Sequence, residues 1–312
     1  MPVVADPHGR VNGMAPLSIV MAGSSGFLGT HLRRELERRG HRVTALVRRP
    51  TKLPDESSWD PDAGRVDSDV VAAADVVINL AGSPTLGNPH SRKWSQALHD
   101  SRVRTTAVLA EAIAGAQEPP YFLAGNAVAW YGDHGSAELP ETADTRGHSL
   151  MTTVCRDWQA AARPAEDAGA RVVYLRTAPI MERSSAPLQQ LRLLFKTGLG
   201  GRIGSGRQYM PMISLRDWVG AASYLCEDPT AEGPANLCCV ETPTNAEFTR
   251  ALADALHRPA FAAVPAPVIK LAAGRVAPEL LGSMNTRPQK LLDLGYEFAD
   301  PDVTAVLASG LS

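Results

Sequence analysis

Hydrophobic positions along this chain alternate between two periods, and the clearest change of period lies near the start. Leu17 to Ala22 is a buried-strand type of apolar run, followed by Gly23-Ser24-Ser25-Gly26-Phe27-Leu28-Gly29. After it Leu28, Leu32 and Leu36 recur at helical spacing, with Arg33, Arg34, Glu37 and Arg38 between them, and Gly40 ends the helix. Val43 to Val47 then reads as a second buried strand. The pattern predicts strand, glycine-rich turn, helix and strand, a βαβ unit. Further strands are predicted over Asp75–Leu80, Tyr121–Ala124, Arg171–Leu175 and Asn236–Val240, and helices over Arg92–Ala114, Leu150–Ala168 and Leu188–Lys196. A helix beginning near Ile213–Asp217 should run to Leu225, and another, capped by Asn245, to Leu256. Such alternation predicts an α/β fold, a doubly wound parallel sheet of Rossmann type. Beyond Pro179 the alternation breaks. Residues 16–178, rejoined by about 213–240, should form the nucleotide-binding domain, and 179–212 with 241–312 a smaller, discontinuous C-terminal substrate lobe. Residues 1–15 have neither an apolar core nor periodicity and are expected to be a flexible leader, with Met14 an alternative start.

Composition narrows the class. The 312 residues are 44% hydrophobic and 21% charged, enough for a sizeable core, and the net charge of −2 gives no reason to expect a nucleic-acid partner. No apolar stretch reaches membrane-spanning length. Cys155, Cys226, Cys238 and Cys239 make neither a metal-ligand spacing nor a disulfide framework, which fits a reducing, cytoplasmic setting. The eight histidines show no helical metal pair, so no metal site is expected. A small-molecule substrate is the expected partner, and assembly into a homo-oligomer is left open.

The glycine turn carries the strongest chemical signal. Gly23 suits a tight turn, Gly26 close approach of a pyrophosphate, and Gly29 close packing of the helix. The free N–H groups at the helix start, including those near Ser24, Ser25, Phe27 and Leu28, would hold phosphate charge. At the end of the second strand, where an acidic residue would bind the ribose hydroxyls of NAD, stand Arg48 and Arg49. A guanidinium fork suits a 2′-phosphate, so the expected cofactor is NADP(H). Leu80, Ala81 and Gly82, and Thr177 and Ala178, follow strand ends where a cofactor would cross the sheet. The run Gly198–Arg207 reads as an irregular loop and not a second phosphate cradle, because no strand precedes it.

The pieces AGSSGFLGTHL, WDPDAG, NLAG, DSRVRTTAVL, AVAWYG, CRDWQAAA, GLGGRIGSGRQYM, TNAEFTRAL, HRPAFAAVPAP and LGYEF occur in order. In them the chain resembles the extended short-chain dehydrogenase/reductase superfamily, and within it the bacterial sugar-nucleotide-epimerase-like "epimerase family" with a small conserved C-terminal domain. The resemblance implies catalysis by a serine, a tyrosine and a lysine four residues after it, the phenol moving a proton as nicotinamide moves a hydride. This sequence departs at all three places. The serine site reads Gly125-Asn126-Ala127, and the tyrosine and lysine positions fall on Met151 and Cys155. The nearest family shares the loss of tyrosine and lysine. However, it usually reads SAVGYYG where this chain has NAVAWYG, and Trp-Ile-His where this chain has Met212-Ile213-Ser214.

Three residues are candidates to replace the lost groups: Tyr131 as proton donor, Asn126 as hydrogen-bond partner of a carbonyl or the nicotinamide amide, and Cys155 as nucleophile. Each has a plain alternative as packing or turn residue. Met151, Arg207, Gln208 and Tyr209 lie where the resemblance places substrate contacts, and Arg207 could pair with a carboxylate or phosphate. The expected activity is NADP(H)-dependent reduction of a carbonyl or conjugated double bond. Conjugate reduction is attractive because water can reprotonate its enolate. A sugar-nucleotide epimerase or dehydratase and a non-catalytic NADP(H)-binding regulator or scaffold are the alternatives.

Overall fold

A computed structural model describes residues 15–260 and 262–312. The leader expected over 1–15 lies outside the described residues except for Ala15. The first five strands are β1 (Ser18–Ala22), β2 (Arg42–Val47), β3 (Glu56–Ser58), β4 (Val76–Asn79) and β5 (Tyr121–Ala127). With the strands Val172–Thr177 and Gly233–Leu237 they form one seven-stranded sheet. Its order is Gly233–Leu237, Val172–Thr177, β5, β4, β1, β2, β3, and every pairing is parallel. The strand order reverses between β1 and β4, which is where doubly wound sheets open a ligand crevice at their carboxyl ends.

Helices cover both faces, so the inner strands are buried on both sides and read as near-continuous apolar runs. Ile19, Met21, Val76, Ile78, Leu123, Val173 and Leu175 point into one core. There they meet Leu32 and Leu36 of α1 (Phe27–Arg38) and Trp218 of the Leu215–Glu227 helix. Val20, Val77, Phe122, Val172 and Tyr174 point into the other. That core is closed by Val71 of α2 (Ser68–Ala72) and by Val108, Leu109 and Ile113 of α3 (Arg92–Ala114). Each fully buried leucine on α1 contributes about 1.5–3 kcal/mol of transfer free energy. A third core, with Met181, Leu188, Phe195, Met212, Phe248, Leu252, Val306 and Leu307, belongs to the later segments.

Local chemistry corrects several expected boundaries. The helix expected over Leu150–Ala168 is two, α4 (Leu150–Ala160) and Arg163–Asp167, with Pro164 in the first turn of the second. Proline has no N–H to donate to the preceding turn and is tolerated only at such a start. The last strand of the sheet runs Gly233–Leu237 instead of Asn236–Val240. The cap of the Asn245–Leu256 helix is Thr244, not Asn245: Thr244 and Glu247 form a reciprocal capping box. Asn245 turns its amide oxygen to the Ile203 N–H instead (2.7 Å). The glycine-rich run beyond Gly198 is not wholly irregular, because Gly201–Ile203 pairs in parallel with Ala262–Val264.

Candidate functional site

The glycine turn joins β1 to α1 at the sheet's carboxyl edge. Gly23 has φ +81°, and a Cβ there would stand 2.5 Å from the Leu80 carbonyl carbon, so the turn lies directly on the segment leaving β4. A Cβ on Gly29 would overlap the Gly23 carbonyl oxygen. This glycine therefore packs α1 onto the turn itself. Gly26 stands at the N-cap without a side chain to cap the helix, and the first turn of α1 holds no acidic residue. The Gly26 N–H closes the turn on the Gly23 oxygen (3.0 Å), and Thr30 holds the Ser24 carbonyl through its hydroxyl (3.3 Å). Ser25, Gly26 and Phe27 are exposed, Leu28 is half-buried, and Ser24 is buried. A helix start with uncommitted N–H groups and no competing carboxylate fits a diphosphate.

Around this turn the other cofactor candidates divide. Leu80 and Ala81 are half-buried and Gly82 is exposed. Asn79, fully buried, fixes that segment by accepting from the Ala81 N–H (3.0 Å) and donating to the Thr106 hydroxyl (2.9 Å). Arg48 is exposed and makes no hydrogen bond or ion pair with a described residue. Arg49 is committed: its guanidinium grips Glu56 through two bonds of 2.9 and 2.6 Å. With the Lys52 and Leu53 N–H groups, it holds the Glu56 carboxyl down at about 2. Of the arginine pair, only Arg48 is unengaged. Thr177 accepts from Trp218 Nε1 (3.1 Å), and Ala178 is buried with its N–H on the Leu237 carbonyl (3.0 Å).

The catalytic candidates are placed differently from expectation. Tyr131 is wholly buried. Its hydroxyl donates to Asn236 Oδ1 (2.8 Å) and accepts from Arg176 Nη1 (2.9 Å), and burial pushes the phenol up to about 12. A phenol so engaged is a core strut and not a proton donor to a ligand. Asn126 is also buried, donating to the Cys155 carbonyl (3.1 Å) and accepting from the Ala127 N–H (2.7 Å). It ties β5 to α4 and offers its carbonyl oxygen to the backbone alone. Cys155 is 1% exposed, and burial pushes its thiol up to about 12 against the nearby charge of Arg102. A thiol that stays protonated and out of reach is not a nucleophile.

Met151, at the position where the resemblance sought a tyrosine, is half-buried in the first turn of α4. Its N–H donates to Glu279 Oε1 (3.0 Å), which the Ser149 hydroxyl also reaches. Glu279 Oε2 is buried without a hydrogen-bond partner. No local signal marked this carboxylate, because it arrives from 128 residues further along the chain. Arg207 is exposed, Gln208 donates to the Ile203 carbonyl (3.1 Å), and the Tyr209 N–H donates to the Ser283 hydroxyl (3.0 Å). The Ser283 N–H in turn donates to Asp133 Oδ1 (3.2 Å), just past Tyr131. The loop thus reaches the end of β5 through 283–284. Among the described residues no group of His, Cys, Asp and Glu could hold a metal ion, and no helix is long and apolar enough to cross a membrane.

Residues 19–190 match the NAD dependent epimerase/dehydratase family, and residues 264–309 match a domain of unknown function, DUF1731. An epimerase family protein of Mycobacterium bovis is 38% identical over 290 residues, covering 91% of this chain and 94% of its own. The human epimerase family protein SDR39U1 is 33% identical, over 93% of this chain and 98% of its own. A crystal structure of that human protein (isoform 2) with NADPH superposes with a TM-score of 0.82 at 31% identity, covering 94% of this chain and 99% of that one.

Proposed function

Because the chain belongs to the NAD-dependent epimerase/dehydratase family, we propose that it binds NADP(H) at the Gly23–Gly29 turn and is an oxidoreductase of a small molecule. The observation that carries the first half is the uncapped, acid-free start of α1, packed on the Leu80–Ala81 segment. The NADPH bound by the human relative supports the same cofactor here. Phe27 to Gly29 would hold the diphosphate by backbone N–H groups, and Arg48 the 2′-phosphate. The cofactor supplies hydride chemistry when bound. Reduction of a carbonyl or conjugated double bond fits best, since an enolate can take its proton from water and needs no tyrosine–lysine pair. Epimerase or dehydratase chemistry is less well served, because it requires a base at the site that Met151 occupies.

A second reading is favoured by one observation. Of the three residues that could have replaced the serine, tyrosine and lysine, Asn126 and Tyr131 are engaged in structural hydrogen bonds and Cys155 is a buried, protonated thiol. A cofactor-binding regulator without turnover accounts for that equally. Paired titration with NADPH and NADH, followed by fluorescence during addition of enones, ketones and sugar nucleotides, separates the readings. Tight NADPH binding with oxidation by a panel member is the expected result. Binding without oxidation favours the regulator. Binding of neither nucleotide sinks both.

A further inference from the structure

Arg102 lies on α3 and is 8% exposed, yet it has no acidic partner among the described residues. Nη1 donates to the Leu98 carbonyl of its own helix (3.0 Å), Nη2 donates to the Thr85 hydroxyl (3.1 Å), and the guanidinium lies 5.3 Å from the Trp158 ring centre. Two of the five N–H donors a guanidinium carries are thereby engaged. Burial lowers its affinity for the proton, but a guanidinium keeps its charge. Holding an unpaired cation out of water is costly by several kcal/mol, and an aliphatic side chain would fill the same space without that cost.

The location gives the charge a use. A Cβ on Gly82 would stand 3.4 Å from Arg102 Cγ, Cζ and Nη1, so the side chain lies against the segment leaving β4. Two residues earlier, Leu80 carries the Gly23 turn. The cation therefore sits at the carboxyl edge of the sheet, beside the segment on which the phosphate turn rests. Its contact with α4 is through the Trp158 ring. Thr85, which orients it, is exposed in the loop above.

We propose that Arg102 is an anion-holding residue of this crevice, giving its remaining N–H donors to an anionic oxygen of the bound ligand. That oxygen belongs either to the dinucleotide's diphosphate or to a carboxylate or phosphate on the substrate. The proposal deepens the oxidoreductase reading and rests on it only for the identity of the ligand.

The test compares wild type, Arg102→Met and Arg102→Lys. NADPH binding is read by fluorescence and inorganic pyrophosphate binding by thermal shift. Carboxylated and uncharged enones are then titrated onto the NADPH complex. Arg102→Met should weaken the anion it serves by about tenfold or more, and Arg102→Lys by only a few-fold, because the charge survives and the fork does not. Loss for NADPH and pyrophosphate assigns the diphosphate. Loss confined to the carboxylated enones assigns the substrate. Folded Arg102→Met with every affinity unchanged overturns the proposal. Should Arg102→Met fail to fold, Thr85→Val removes one anchor of the guanidinium and should weaken the same anion by about threefold. Unchanged affinities in folded Thr85→Val and Arg102→Lys overturn the proposal as well. Wild type that binds pyrophosphate but not NADPH keeps the arginine site while sinking the dinucleotide reading. Wild type that binds neither sinks both.

Discussion

Two ends of the same sheet edge look alike in sequence and differ in bonding. At the β1–α1 end the backbone donors are left over: Gly26 caps nothing, no carboxylate enters the first turn, and Arg48 is unengaged. At the end of β5 and Val172–Thr177 the buried groups are bound to one another. Tyr131 spans Asn236 and Arg176, Asn126 spans Ala127 and Cys155, and Arg176 stacks on the Trp130 ring at 3.6 Å. A polar residue after a strand can serve a ligand only while its hydrogen bonds are unspent. A buried network whose hydrogen bonds are spent on one another, as here in all but the Arg176 Nε, specifies the fold.

The largest effect is expected at the open end of the sheet edge. Gly29→Ala drives a Cβ into the Gly23 carbonyl, with backbone on both sides of the collision. A loss of about 3 kcal/mol or more in denaturant unfolding is expected, with nucleotide binding abolished. Arg48→Asp leaves the fold intact and should weaken NADPH by about ten- to hundredfold more than NADH. Equal losses for the two nucleotides would remove Arg48 from the 2′-phosphate. Arg49→Asp should instead act on stability, by releasing Glu56. The closed end responds the other way. Tyr131→Phe strands Asn236 and Arg176 and should cost about 1–3 kcal/mol of stability with NADPH affinity unchanged. A large fall in turnover per folded molecule would return the phenol to the chemistry. Cys155→Ala should cost less, about 1 kcal/mol, and leave binding unaltered; in the native protein Cys155 should resist thiol reagents until unfolding.

The smallest effect expected is a pH dependence from Arg49 and Glu56. The Glu56 carboxyl titrates lower in the folded chain, at about 2, than its ordinary 4.5. Its contribution is therefore present above pH 4.5 and lost as pH falls toward 2. Acid unfolding of Arg49→Gln should lack that component. An unchanged acid limb would show that the pair adds nothing to stability.

The pieces legible in sequence were those written in local period and local turn chemistry. The β1–turn–α1 unit, the 23-residue helix α3 and the break beyond Pro179 follow from spacing alone. Strand β3 hid in a polar stretch because it is three residues long at a sheet edge. The site was harder, since its bonding partners are distant in the chain. Tyr131 reads as an available phenol until Asn236, 105 residues away, accepts its hydrogen bond. Arg102 stands in a run of charged and hydroxyl residues that reads as a solvated helix face, and only the packing of α4 shows it buried. Thr244 and Glu247 did carry a readable capping signature, masked by Asn245 beside them.

The outermost strand, Gly233–Leu237, has a consequence for how the chain folds during synthesis. It joins the sheet beside Val172–Thr177 only after the intervening segments have been made. A nascent chain ending near residue 190 therefore exposes the unpaired edge of Val172–Thr177, with the apolar faces of Val173 and Leu175 uncovered by Trp218. Such an intermediate is a template for intermolecular pairing, and closing a connection of that length is slow compared with local contacts. A fragment cut at the end of the family match should consequently aggregate more readily than the full chain.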